Sequence, residues 1–213
     1  MPTLLHLDSS PLETSISREL TREFVKTWKN THPDGKVIHR DLTATPLKPV
    51  DSAWIFGQYT PEASRTPEQK AALALSDELI AELQLANEYV FGVAMHNFSI
   101  PSVLKLWIDQ IVRRGHTFVY SEAGPEGLLH GKKATILVAS GGVYAPGTPG
   151  SALNFIDSYL KTILGFIGVT DVKIVTAGGA AQVMTGTVDR ETFLKPTLEQ
   201  VRTVAEQVNT VAA

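Results

Sequence analysis

Hydrophobic positions along this chain switch between two rhythms. Short β-prone runs at Thr3–Leu7, Lys36–Arg40, Tyr89–Ala94, Ala134–Ala139 and Val172–Val175 predict five strands. Between them, apolar residues return every third or fourth position, as on one face of a helix. Ile16, Leu20, Phe24 and Trp28 form the first such stripe, and Leu75, Leu79 and Leu83 mark a helix over Glu68–Ala86. Leu104, Trp107, Ile108 and Ile111 mark another, then Leu153, Ile156, Leu160 and Leu164, and a last helix is expected over Leu194–Val211. Trp28 and Trp107 lie on these stripes and read as core. Leu42–Thr66 breaks the rhythm: it carries Pro46, Pro49 and Pro61 with Trp54, Phe56 and Tyr59, and reads as a long lid-like or interface loop.

Strands that alternate with helices imply parallel pairing through right-handed crossovers. The fold class expected is α/β, a flavodoxin-like doubly wound five-stranded parallel sheet of order 2-1-3-4-5, in one domain over residues 1–213. In such sheets ligands bind beyond the carboxyl ends of the strands, where the order reverses. The loops at that edge therefore hold the candidate chemistry.

Composition narrows the choice. A net charge of −3 gives no electrostatic footprint for nucleic acid or an acidic membrane. The absence of cysteine removes disulfides, thiolate metal sites and Cys nucleophiles. The N-terminal segment lacks the basic and long apolar regions of a secretory signal, and no apolar run is long enough to span a bilayer. A soluble, cytoplasmic protein is expected. His6, His32, His39, His116 and His130 show no metal-ligand spacing, so they read as structural or surface residues, with no metal expected.

Three loops carry the case for a ligand. Ser10, Ser15, Ile16 and Ser17 lie between the first strand and first helix, where hydroxyls and unpaired helix N–H groups suit a monophosphate. Serines there also serve as ordinary helix caps. Arg18 is the one cation close by in sequence, and neither a Walker pattern nor G-x-G-x-x-G occurs in this loop. Met95-His96-Asn97-Phe98 follows the third strand, with Pro101 suited to the start of the next helix. Its thioether, amide, backbone N–H groups and ring suit a flat heteroaromatic ligand. Ser140-Gly141-Gly142-Val143 follows the fourth strand, where glycines let backbone approach a ligand closely.

Together with Leu164-Gly-Phe-Ile-Gly168, Arg40-Asp-Leu42, Ala74-Leu-Ser-Asp-Glu-Leu-Ile80 and Gly124-Pro-Glu-Gly-Leu128, these motifs resemble the FMN-dependent NADH:quinone oxidoreductases, also called azoreductases. The similarity covers nearly the whole chain except Val50–Arg65 and the final helix. The resemblance implies a homodimer with FMN at the subunit interface, and ping-pong transfer of two electrons from NADH or NADPH to a quinone, azo or nitroaromatic acceptor. It implies that Ser10, Ser15, Ile16 and Ser17 hold phosphate. Met95, His96, Asn97 and Phe98 would hold the ring and ribityl side, and Ser140, Gly141, Gly142, Val143 and Tyr144 the pyrimidine end. Tyr120 and Phe166 would form the substrate slot.

Four positions depart from the family pattern. Ala94 stands where relatives often have Pro, His96 where they have Tyr, and Tyr144 where they have His; the arginine common in the Gly-Gly loop is absent. Hydride transfer needs alignment more than an acid or base, so no indispensable proton donor is expected. His96 is the candidate, because an imidazole titrates near neutrality. Arg65 and Lys48 are the candidate partners for an NADPH 2′-phosphate. The main rival reading is a flavodoxin-type electron carrier, which would share the fold and FMN without oxidising a nicotinamide itself. Such carriers are usually strongly acidic, and this chain is nearly balanced.

Overall fold

A computed structural model describes residues 1–207. The chain runs β1 (Thr3–Asp8), α1 (Ile16–Thr31), β2 (Lys36–Asp41), α2 (Ser52–Tyr59), α3 (Pro67–Leu85), β3 (Glu88–Ala94), α4 (Ser102–Ile111), β4 (Phe118–Ser121), β5 (Gly124–Gly127), β6 (Lys133–Ser140), α5 (Ile156–Phe166), β7 (Asp171–Gly178), α6 (Ala181–Met184) and α7 (Arg190–Gln207). Five parallel strands form one sheet of order β2-β1-β3-β6-β7, the expected 2-1-3-4-5 order of the main strands. The order reverses between β1 and β3, which opens a crevice at their carboxyl ends.

Strand side chains alternate between two buried faces, as expected for a parallel sheet covered on both sides. Leu5, Leu7, Phe91, Val93, Ile136 and Val138 pack with Leu79, Leu83, Trp107 and Leu160 from α3, α4 and α5. Leu4, Val90 and Leu137 pack on the other side with Leu20, Phe24 and Trp28 of α1 and Leu194 and Val201 of α7. Both stripe tryptophans are core residues, at 0% exposure for Trp28 and 2% for Trp107.

Three expectations need correction. Leu42–Thr66 is not one loop, because Ser52–Tyr59 is helical, with the Asp51 side chain accepting from the Trp54 N–H. Trp54 is buried and donates from Nε1 to Gln110 Oε1 at 2.8 Å, while Phe56 is exposed. Second, a small antiparallel hairpin, β4 with β5, interrupts the expected alternation. Third, Leu153 is exposed in a short 3-10 turn ahead of α5 rather than on its buried stripe. The expected last helix begins earlier, at Arg190, and its final residues 208–211 lie outside the described residues.

The end of α5 explains Gly168. Val169 N–H bonds the Leu164 carbonyl at 2.8 Å and Gly168 N–H bonds that of Gly165 at 3.0 Å, which is the Schellman pattern. Gly168 takes φ +101°, and a Cβ built on Gly127 would lie only 2.1 Å from its nitrogen. The hairpin therefore docks on this helix end through two glycines.

Candidate active site

The three predicted loops meet at the carboxyl edge of the sheet. They line a cavity of about 410 Å³ together with the α6 segment. Ser10, Ser15, Ile16, Ser17, Met95, His96, Ser140 and Gly141 all face it. Asn97, Phe98, Gly142, Val143 and Tyr144 sit on the same loops beside it.

At the first loop, Ser15 is the N-cap of α1, its Oγ accepting from Arg18 N–H at 3.3 Å. The cap leaves the first-turn amides of Ile16 and Ser17 without intrahelical acceptors, facing the cavity side of the helix. Ser15 Oγ lies 3.3 Å from Ser17 Oγ. The loop hangs on β3, because Ser9 donates from both N–H (3.2 Å) and Oγ (2.7 Å) to the Gly92 carbonyl.

Arg18 does not face the cavity. It is buried, donating from Nε (3.0 Å) and Nη2 (2.7 Å) to the Ser10 carbonyl and from Nη2 to Asp41 Oδ2 (2.7 Å). It shapes the loop from behind. The cation that lines the cavity is Arg190, held by Glu19 at 2.6 Å and by the Thr14 carbonyl at 2.9 Å. It lies far along the chain and no local motif marks it.

The second loop is a tight turn. His96 and Ser99 exchange two backbone hydrogen bonds, at 2.9 and 3.0 Å, and the residues between, Asn97 and Phe98, have φ +48° and +69°. Two successive left-handed residues make a type I′ turn. Asparagine tolerates this geometry, but phenylalanine is strained by it. Phe98 is 41% exposed, with its ring edge-on to Tyr144.

The third loop is braced from below. Gly179 N–H bonds the carbonyls of Ser140 (3.0 Å) and Gly142 (2.9 Å), Ala180 N–H bonds Ser140 (2.9 Å), and Ala181 N–H bonds Gly141 (3.1 Å). Ser140 Oγ adds a bond to the Gly142 carbonyl at 2.9 Å. A Cβ built on Gly141 meets nothing within 4 Å, so a side chain there would take up open space beside the cavity that Gly141 lines. Gly142 differs: its Cβ would lie 2.7 Å from Tyr144 Oη. One glycine keeps space for a ligand, and the other makes room for Tyr144.

Comparison with known proteins reads this geometry. The flavodoxin-like fold family matches residues 2–202. An FMN-dependent NADH:quinone oxidoreductase of Acidobacterium capsulatum is 62% identical over 205 residues, covering 96% of this chain and 100% of the relative. This chain belongs to the FMN-dependent NADH:quinone oxidoreductase family. The crystal structure of an azoreductase from Bacillus anthracis str. Sterne superposes with a TM-score of 0.87 at 30% identity, covering 97% of this chain and 100% of that one. An FMN-dependent NADH-azoreductase from Bacillus anthracis str. Ames Ancestor, solved in complex with FMN, gives 0.86 at 26% identity, with 98% and 99% covered.

Within this quinone oxidoreductase family member, the predicted slot residues form their own group. Tyr120 is 62% exposed on β4, and Phe166 ends α5. Phe118 joins them, with its ring centroid 5.5 Å from Tyr120 and 4.7 Å from Phe166. Neither Tyr120 nor Phe166 lines the cavity of the single chain. Arg65 is engaged locally, its Nε donating to the carbonyls of Gly57 (3.0 Å) and Thr60 (3.1 Å). This use closes the turn between α2 and α3 and weakens its reading as a 2′-phosphate partner.

Behind the first loop lies a grouping that sequence spacing hides. His6 and His39 are paired across β1 and β2, and Asp8 is two residues on, on the same face as His6. Both imidazole Nε2 atoms approach Asp8 Oδ2, at 3.1 and 3.2 Å. Burial alone would push the Asp8 carboxyl up, but His6, the Thr21 hydroxyl and His39 together hold it below the ordinary value. Knowledge of the 2-1 strand pairing is the signal that finds this cluster.

Among the described residues, no helix is long and apolar enough to cross a membrane.

Proposed function

We propose that this protein binds FMN in the cavity and uses it to transfer two electrons from NADH or NADPH to quinone, azo or nitroaromatic acceptors by a ping-pong mechanism. The observation that carries this is the polarity of the cavity at the carboxyl edge of the sheet. It offers serine hydroxyls and free helix amides at one end, with Arg190 at its rim. At the other end it offers backbone and Met95, with Gly141 lacking the side chain that would fill it. A phosphate monoester joined to a flat ring fits that order of groups.

In this reading Ser10, Ser15, Ser17 and the amides of Ile16 and Ser17 bind phosphate. Met95, His96, Asn97 and Phe98 support the ring, and Ser140, Gly141, Gly142, Val143 and Tyr144 cover its polar edge. FMN, when bound, supplies hydride acceptance from a nicotinamide and two-electron delivery to the acceptor. The chain's own residues orient the reactants and exclude water. His96, exposed at the cavity wall, offers a proton to the reduced product, and water serves in its absence.

Exposed Phe98, Val143, Phe155 and Tyr120 crowd the loops of this edge or its neighbouring hairpin, and clustered apolar exposure suits an interface. A second copy covering them would bring its own Tyr120 and Phe166 to complete the slot. The test is an absorption spectrum after FMN addition and desalting, repeated after anaerobic NADH and then NADPH. Retained yellow that bleaches supports the reading. Retained yellow that neither nucleotide bleaches favours the electron carrier, and no retained flavin overturns the site.

A further inference from the structure

We propose that His6, Asp8 and His39 form a binding site for one divalent transition-metal ion, with Zn²⁺ as the probe of choice. The site is separate from the cavity and does not rest on the flavin reading. Two imidazoles and one carboxylate are a common donor set for such ions, with solvent completing the coordination.

Three observations converge. The donor atoms of the three residues all lie within 4.8 Å of one another. Asp8 Oδ2 already draws both rings together, with His6 Nε2 at 3.1 Å and His39 Nε2 hydrogen-bonded to it at 3.2 Å, near the roughly 3.3 Å ligand–ligand edge of a tetrahedron with bonds of about 2 Å. His6 is 7% exposed, and its Nε2 has no aligned hydrogen-bond partner, despite its closeness to Asp8. Its polar neighbour is the Asp8 carboxylate, held as a poorly aligned contact, and a metal ion between the two would give that nitrogen a direct bond.

The surroundings favour a cation. Thr21 Oγ1 donates to Asp8 Oδ1 at 2.8 Å, which turns Oδ2 toward the imidazoles. Arg18 Nη1 stands 3.6 Å from Asp8 Oδ2, but its charge is met by Asp41 at 2.7 Å. Two carboxylates against one guanidinium leave a negative charge on the group. The rings of His6 and His39 are stacked, with centroids 4.4 Å apart and planes at 28°. Common ligation requires one ring to turn. The His39 side chain is 50% exposed, so it is free to turn and gives the ion an entry path.

Bound metal would tie the edge strand β2 to β1. The experiment uses untagged protein as purified, stripped with chelator and titrated with ZnCl2 at pH 7.5. Calorimetry is expected to give one Zn²⁺ per chain, with a melting temperature raised by about 5 °C at a hundredfold excess over Kd. His39→Ala should weaken binding by about tenfold or more, as should His6→Gln, and the melting shift at the same ZnCl2 concentration should fall to about half or less. His130→Ala, at an exposed histidine elsewhere, should bind as the parent does. Should His6→Gln fail to fold, the exposed His39→Ala decides. No stoichiometric binding, or unchanged binding in His39→Ala, overturns the site.

Discussion

Phe98 and Tyr144 meet edge to face, with ring centroids 5.9 Å apart and planes at 87°. One comes from the loop after β3 and the other from the loop after β6, so this contact joins two sides of the candidate ring site. Phe98 reaches it only by holding φ +69°. Its backbone is strained in order to place its ring. Replacing it separates the two effects. Phe98→Gly should be more stable than Phe98→Ala by about 1 kcal/mol, because alanine keeps the left-handed penalty that glycine escapes. Both should lose FMN faster than the parent. Urea unfolding of the flavin-free proteins and flavin release rates check the two halves. Equal stability of the two variants would remove the strain argument.

The adjacent glycines should respond differently. Gly141→Ala has open space around its new methyl group, so the flavin-free protein should unfold within about 0.5 kcal/mol of the parent while FMN affinity falls at least about tenfold. Gly142→Ala puts its methyl against the Tyr144 ring, at 2.7 Å from Oη and 2.8 Å from Cζ. It should weaken FMN by displacing that ring, and the double variant with Tyr144→Ala should recover part of the loss. Additive losses would mean that Tyr144 is not the neighbour that matters. Flavin fluorescence titrations supply all four affinities.

His96→Ala should keep FMN and lower turnover by about tenfold, well short of the 10²–10⁴ typical of general acid–base catalysis. Steady-state rates with a quinone acceptor measure this. A colourless protein, or an unchanged rate, would each count against the assignment.

Stability should carry a distinct pH signature from Glu88. Burial pushes its carboxyl up, and this outweighs the opposing pull of the Trp28 hydrogen bond, His32 and Lys133. A carboxyl raised in the folded state holds its proton longer there than when unfolded. Its contribution is therefore most favourable below the ordinary carboxylate range and declines as pH rises through the raised value. Glu88→Gln keeps an acceptor for Trp28 Nε1, which donates to Glu88 Oε2 at 2.9 Å. The substitution should gain stability relative to the parent between pH 4 and pH 8, read as the difference between their melting curves. A constant difference would place the titrating group elsewhere.

The sheet was legible because both its faces are buried, and Leu79, Leu83 and Leu104 follow their helical stripes into the core. The segment around Ser52–Tyr59 was not. It is short, flanked by prolines, and apolar on several sides, with Trp54 buried but Ile55, Phe56 and Tyr59 exposed. Gly124-Pro-Glu-Gly127 has almost no strand propensity, and its pairing depends on how it packs against Gly168. The cavity serines, Met95, His96, Ser140 and Gly141 could be read locally because each follows a strand end. Arg190 and the pairing of His6 with His39 could not, since each depends on contacts distant in sequence.

The brace beneath the Gly-Gly loop has one more effect. The carbonyls of Ser140, Gly141 and Gly142 are all turned down to receive the N–H groups of Gly179, Ala180 and Ala181. In a trans peptide the following N–H points the opposite way. The amides of Gly141, Gly142 and Val143 are thus turned up and away from the brace. With their carbonyls engaged below, these peptide units leave their N–H groups as the donors this loop has to offer, and Gly141 among them lines the cavity. Donors fixed in the backbone in this way, unlike a flexible side chain, cannot swing away.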